Sequence, residues 1–213
     1  NLIGVSAGFA AGGFIPYCAT FSNFAAMRSC EQVRHYLGYM KENVKVVGLG
    51  AGFAMGMFGT THYGIEDISA IRGIPNITIT SPADSTETVK TVIAASTFNG
   101  PLYIRLTGVM NNPIVYRSDY NFEIGKAVSL KEGKDVAIIA TGTMVAESIK
   151  AGKILEEVGI SAAVIDMHTI KPLDVVTIDK VCASTKLIVT VEEHSIIGGL
   201  GSAVAEYIVN KNT

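Results

Sequence analysis

Small and apolar residues fill positions 2 to 11 (LIGVSAGFAA) before the pair Gly12-Gly13 interrupts them. That pattern predicts a closely packed helix ended by glycine. Ile15 to Thr20 reads as a buried strand, Asn23 to Met40 as a helix and Val44 to Leu49 as a second strand. Gly50 to Gly64 is too long and too rich in glycine for a plain connection, which marks it as a functional loop. A short helix over Ile65 to Ile71 stops before Pro75, and Ile77 to Ser81 is a strand. Pro82-Ala83-Asp84 then turns into a helix over Ser85 to Phe98, followed by a strand over Leu102 to Leu106.

From Asn111 to Tyr120 the chain turns rich in Asn, Pro, Asp and Ser, as a linker does. A second unit repeats the alternation. Its strands are Val136 to Ala140, Ser161 to Asp166 and Leu187 to Val191. Its helices run from Gly142-Thr143 to Gly159, over Val175 to Ala183 and over Ser202 to Val209. His168 to Asp174, around Pro172, is expected to be an irregular loop, and Glu192 to Gly201 a polar, glycine-rich turn. The pattern predicts an α/β fold of two doubly wound domains with mainly parallel sheets. The expected boundaries are 1–110, a linker at 111–122, and 123–213.

Composition narrows the function classes. At 213 residues and 48% hydrophobic, the chain can bury a real core. A formal net charge of -2 and no basic run leave no footprint for nucleic acid. Residues 1 to 27 lack acidic and basic side chains up to Met27, but Gly12-Gly13 and Pro16 cut the apolar run short of a membrane span. No positive segment precedes it, so it does not read as a signal peptide. Cys18, Cys30 and Cys182 form no C-x-x-C pair and read as buried free thiols of a cytoplasmic protein. Glu192, Glu193 and His194 are adjacent and do not have metal-ligand spacing.

Several runs resemble the transketolase family along essentially the whole chain and in one colinear order. The runs from Ile15 to Phe24 (IPYCATFSNF) and Arg28 to Arg34 (RSCEQVR) are similar to its aminopyrimidine-binding domain. So are Gly59 to Ser69 (GTTHYGIEDIS), Ile74 to Ile79 (IPNITI), Ser81 to Asp84 (SPAD) and Tyr103 to Leu106 (YIRL). The runs Asp135 to Gly142 (DVAIIATG), Val164 to Asp174 (VIDMHTIKPLD) and Val191 to Gly201 (VEEHSIIGGLG) resemble its C-terminal domain. The spacing from Phe24 to Arg28 looks like that of two-subunit transketolases. The related 1-deoxy-D-xylulose-5-phosphate synthases share much of the pattern.

The resemblance implies a transferase that moves a two-carbon ketol unit between sugar phosphates, working with thiamine diphosphate and Mg2+. It implies a cofactor contact for Phe21, Phe24 and Met27, the aromatics flanking or stacking on the aminopyrimidine. From spacing alone, the two phenylalanines read as core residues at a strand–helix junction, and the resemblance reverses that. His62 would face the reacting carbons of the substrate, where an imidazole can transfer a proton; the plain alternative is a loop histidine bonded to backbone. Arg105 would clamp the sugar phosphate through its guanidinium fork, against a structural ion pair. Glu66 and Asp67 read as acids at a helix start. Gly198 to Gly201 opens a helix and suits an anion.

Two departures bear on substrate. The family's histidine and aspartate at the positions of Gly50 and Phe58 are absent, leaving an apolar loop (GAGFAMGMFG). Phe58 thus marks a substrate contact of altered chemistry, for a substrate less hydroxylated, or more apolar near that point, than the common pentose phosphates. The family's catalytic glutamate would sit two residues ahead of Asn1, and the first acid in this sequence is Glu31. That, and a start inside a helix without Met, suggests that residues are missing upstream. There is no Gly-Asp-Gly motif, so the metal and diphosphate belong to a partner: a diphosphate-binding N-terminal subunit or domain. A homodimer through the pyrimidine domain is expected, with uncharged residues 2 to 27 and 46 to 61 as surface. The alternatives are a pyruvate-decarboxylating synthase and a non-catalytic dimerisation or regulatory partner.

Overall fold

A computed structural model describes residues 1–108 and 112–211. Helix α1 (Leu2–Ala11) opens the chain, and the turn through Gly12 and Gly13 closes it, with φ +89 at Gly13. Strand β1 (Tyr17–Phe21) leads into a helical stretch of mixed pitch. It comprises a π-helical turn (Phe24–Arg28), α2 (Cys30–Gln32) and a second π-helical segment (Val33–Tyr39). The single regular helix expected over 23–40 is therefore wound wide at both ends. Such π-turns are rare and frequently mark functional sites.

The first half continues through β2 (Lys45–Ala51), a short 3-10 turn (Gly56–Phe58), α3 (Asp67–Arg72), β3 (Thr78–Thr80), α4 (Ser85–Thr97) and β4 (Leu102–Thr107). Helix α4 starts where the sequence predicts because it is capped on both sides. Asp84 accepts from the Glu87 amide at 2.8 Å, and Glu87 accepts from the Ala83 amide at 2.7 Å. This reciprocal pair satisfies one orphan donor of the first turn and the amide just ahead of the cap. Strands β1, β2, β4 and β3 lie side by side and parallel. Ile68, Ile71, Ile77, Ile79 and Val46 fill the core beside this sheet. Each such side chain contributes about 2–5 kcal/mol against truncation to alanine.

The second half contains β5 (Val128–Lys131), β6 (Val136–Ala140), α5 (Met144–Glu157), β7 (Ala162–Asp166), β8 (Thr169–Lys171), α6 (Val175–Ser184), β9 (Leu187–Val191) and α7 (Leu200–Lys211). Its sheet runs β5-β7-β6-β9, parallel except for the antiparallel edge β5. The fold is thus α/β with two mainly parallel sheets, as the alternation predicts. Two strands differ from expectation. Strand β5 is short and half-buried, so its periodicity is weak. Strand β8 falls inside the segment expected to be an irregular loop. It adds antiparallel to β3, pairing Ile79 with Lys171 and Thr80 with Thr169, so the second half completes the first half's sheet.

The expected linker begins at Asn111, outside the described residues. From Asn112 onward the segment is tied down: the amides of Val115 and Tyr116 donate to Asp84 Oδ2 at 2.7 and 2.9 Å. Among the described residues no helix is long and apolar enough to cross a membrane. All three cysteines are free, but only Cys18 is buried; Cys182 is exposed.

Candidate functional site

Ligands of open parallel sheets bind beyond the carboxyl ends of the strands. Here β1 ends at Phe21, β2 ends at Ala51, and the glycine-rich loop springs from the end of β2. The loop is closed at its neck by a two-way bridge, Gly52 N to Gly64 O at 2.7 Å and Gly64 N to Gly52 O at 2.9 Å. Close approach requires glycine at position 64, because a Cβ there would lie 2.1 Å from Ser22 Oγ.

Three of the sequence-predicted residues meet around the loop. The His62 ring lies edge-on to Phe21 and to Phe24, with centroids 5.2 Å apart in each case, and Phe21 lies edge-on to Phe24 at 5.6 Å. Phe58 joins the group, its ring tilted 42° against His62 at 5.0 Å, with 55% of its surface exposed. Met27 lies on the π-turn that begins at Phe24 and is 53% exposed. The Arg28 guanidinium stands over the Phe24 ring at 4.1 Å. His62 Nδ1 is engaged by Thr61 Oγ1 at 2.9 Å, which leaves Nε2 as the nitrogen free to meet a ligand. Asn23 Nδ2 donates to Thr61 O, fastening the loop to the start of the π-turn.

The arrangement is a half-buried shelf of phenylalanine rings beside an imidazole, with the exposed thioether of Met27 on the neighbouring turn. It suits a flat heteroaromatic ring, which takes apolar contact on its faces and polar contact at its edge. Two buried polar atoms next to the shelf, Ser22 Oγ and Asn23 Oδ1, have no hydrogen-bond partner among the described residues. Buried polar atoms are normally answered, and unanswered ones cluster where something else completes a site.

Arg105 requires a correction. It is fully buried, and its Nε donates to Asp67 Oδ2 at 2.8 Å and Oδ1 at 3.0 Å. One terminal nitrogen donates to Gly64 O and to Glu193 O, both at 2.9 Å. A guanidinium committed this way inside the fold does not clamp a substrate phosphate, so the structural ion pair is the reading that its contacts support. Asp67 accepts further from Tyr103 Oη at 2.8 Å. It is therefore a buried ion-pair partner and not simply an acid at a helix start, whereas Glu66 is exposed. His194 Nε2 accepts from the Ile68 amide at 3.2 Å and Nδ1 donates to Ser195 O at 2.7 Å, a structural pair of bonds.

The residues at the two departures sit where the shelf begins. Gly50 has φ +61, and a Cβ there would meet Met55 Cγ at 2.7 Å and Phe21 at 3.5 Å, so Met55 occupies that space. The helix-opening glycines already hold an anion of their own. Glu192 accepts from the amides of Leu200 at 2.7 Å and Gly201 at 2.9 Å. Among the described residues no group of His, Cys, Asp and Glu is arranged to hold a metal.

Sequence reasoning misses Asn23 and Glu193. Asn23 carries no chemistry by type, and its tie to the loop spans 38 residues of sequence. Glu193 reads in sequence only as a poor metal ligand. Its carboxylate in fact accepts from the amide of Phe53 at 2.7 Å, across 140 residues.

Residues 1–109 match the family model described as the transketolase pyrimidine binding domain, and residues 125–213 match that of the transketolase C-terminal domain. The chain is 43% identical over 208 residues to a 6-deoxy-6-sulfo-D-fructose transketolase subunit of Clostridium sp. (strain MSTE9), covering 97% of this chain and 64% of that protein. It is 42% identical over 207 residues to an apulose-4-phosphate transketolase subunit of Phocaeicola vulgatus, covering 97% of this chain and 66% of the relative. A solved split-gene transketolase, an inactive beta4 tetramer, superposes with a TM-score of 0.90 at 43% identity over 99% of this chain and 68% of its own. The chain thus spans about two thirds of the length of the curated relatives it matches.

Proposed function

The chain belongs to the transketolase family, and from that premise we propose that it supplies the pyrimidine-binding half of a thiamine diphosphate site in a two-carbon ketol transferase. The observation that carries this reading is the shelf of Phe21 and Phe24 with His62 held against both rings. When bound, the cofactor supplies a nucleophilic carbon and an electron sink for cleaving the bond beside a ketone. Phe21, Phe24 and Met27 hold its ring by apolar contact and exclude water from one side. His62, with Nδ1 committed to Thr61, presents Nε2 to hold or move a proton at a substrate oxygen.

The diphosphate and its Mg2+ fall to a partner subunit or domain, a reading that follows the family resemblance, since the sequence has no Gly-Asp-Gly motif. A second copy of the chain covers the apolar surface of the first half, to which Leu2, Val5, Phe9 and Phe14 contribute exposed side chains.

The substrate departs from the common pentose phosphates. Met57, Phe58 and Met55 line the loop where the family has hydrogen-bonding groups, and Met57 is 84% exposed. A site without polar partners does not reward substrate hydroxyls at that point. Two relatives named for a sulfo-sugar and for apulose 4-phosphate support a departure of this kind. The test is steady-state kinetics of the assembled enzyme. Xylulose 5-phosphate with ribose 5-phosphate should be turned over at least about tenfold less efficiently than a ketose phosphate lacking one of the chain hydroxyls. Efficient turnover of the pentose pair would contradict the substrate assignment, and carbon dioxide release from pyruvate would contradict ketol transfer itself.

A further inference from the structure

The loop between Gly52 and Gly64 makes its internal backbone bonds locally. Gly56 N reaches Phe53 O at 2.8 Å, Phe58 N reaches Met55 O at 3.0 Å and His62 N reaches Gly59 O at 3.0 Å. Such turns shape the tip, but they do not set where it lies relative to the sheet. That is set by the neck bridge and by ties to other elements. One tie is Asn23 Nδ2 to Thr61 O. Another comes from the second half of the chain: Phe53 N donates to Glu193 Oε1 at 2.7 Å.

Glu193 is itself fixed in place. Thr143 Oγ1 donates to its Oε2 at 3.3 Å. Its carbonyl accepts from Arg105 at 2.9 Å, and the same guanidinium nitrogen grips Gly64 O at 2.9 Å. One cation therefore holds both the backbone of Glu193 and the returning end of the loop. Further along the turn, Ser195 N donates to Ile65 O at 2.8 Å. Gly52 completes the fit. It has φ +71, and a Cβ there would lie 2.4 Å from the Glu193 carboxyl carbon. The glycine is a cradle for the carboxylate, shaped by two residues far apart in sequence.

We propose that Glu193 is a positioning residue for the site: its carboxylate, reaching over from the second half, holds the outgoing end of the loop so that His62 stays against Phe21 and Phe24. This gives the C-terminal half a part in the chemistry without touching substrate. The inference rests on the reading of His62 as facing substrate, but the latch itself is open to a measurement that does not.

That measurement is amide hydrogen exchange of the loop peptide, 52–64, in the full chain, followed by kinetics of the assembled enzyme. A charge-assisted bond to a backbone amide is among the stronger ones, so E193A should speed loop exchange by about tenfold while the sheet β5-β7-β6-β9 exchanges as before. E193Q keeps an oxygen for Phe53 N and should stay within about twofold of wild type. E193D keeps the charge but draws the carboxylate back by one methylene, so it should accelerate exchange even if E193A does not fold. In the assembled enzyme kcat should fall with E193A and E193D and recover with E193Q. Unchanged loop exchange in E193A and E193D would overturn the latch. Faster exchange with unchanged kcat would overturn the positioning role. A wild-type assembly that transfers no ketol unit would overturn the reading of the site, leaving the exchange result to decide the latch on its own.

Discussion

The two halves of the chain meet at two buried polar seams built on opposite electrostatics. In the first, Arg105 and Asp67 form an ion pair at 2.8 Å with side chains 1% and 0% exposed, flanked by Tyr103, His194 and the backbone of Gly64 and Glu193. Each charge there is answered by the other. In the second, Glu87 of α4 and Asp166 of β7 are fully buried carboxyl groups facing each other across the halves, with Asp84 close by. Tyr120 donates to Glu87 at 2.8 Å and Tyr116 to Asp166 at 2.7 Å, the two tyrosine rings stacked 3.9 Å apart. The first seam fixes the shape of the glycine-rich loop through opposite charges. The second tolerates like charges by retaining a proton. Both join residues remote in sequence, yet only the first reaches the loop that carries the shelf's histidine.

The largest effect should come from breaking the first seam. Removing one partner of a buried ion pair leaves the other uncompensated, at a cost of about 3–5 kcal/mol. Asp67→Ala should therefore lower stability by that amount, measured by urea denaturation; a loss under about 1 kcal/mol would mean that the Arg105 charge is answered elsewhere.

The shelf should respond in ligand affinity more than in stability. Phe24→Ala in the assembled enzyme should weaken thiamine diphosphate binding by about 1–3 kcal/mol, the scale of a ring stack with its apolar burial. Calorimetric titration decides it, and an unchanged affinity would remove Phe24 from the site.

The smallest effect at neutral pH belongs to the second seam, and it is one of slope. Burial pushes the Glu87 carboxyl up, and burial with the Glu87 charge pushes Asp166 well above the usual carboxylate range. The folded chain thus keeps a proton that the unfolded chain releases near pH 4. The associated stability is complete below that range and is lost as pH rises through the higher folded value. E87Q, which carries no titrating proton, should gain on wild type in denaturation midpoint as pH rises above the unfolded carboxylate range, about pH 4. Parallel curves would show that the pair shares no proton.

Much of this architecture is legible in the sequence because it is local. Alternation of apolar runs places β6 and β9 at their observed residues, and the Asp84 cap announces α4. The ring cluster of Phe21, Phe24 and His62 is legible through resemblance, since spacing alone favours a core role for the phenylalanines. What is not legible is long-range. Strand β8 is only Thr169–Lys171, and it exists because β3 offers it an edge. Arg105 reads as a phosphate clamp through the resemblance, because nothing local reveals that Asp67, 38 residues away, occupies its Nε. Glu193 and Gly52 suit each other only once the fold has brought them together.

The central claim is that this chain contributes half of a shared cofactor site. Calorimetric titration of thiamine diphosphate with Mg2+ into the chain alone, and into the chain assembled with a diphosphate-binding partner, tests it most directly. Tight, metal-dependent binding should appear only in the assembly, and binding to the chain alone should be at least about a hundredfold weaker, the scale of about 2.7 kcal/mol. Equally tight, magnesium-dependent binding by the chain alone would contradict the account.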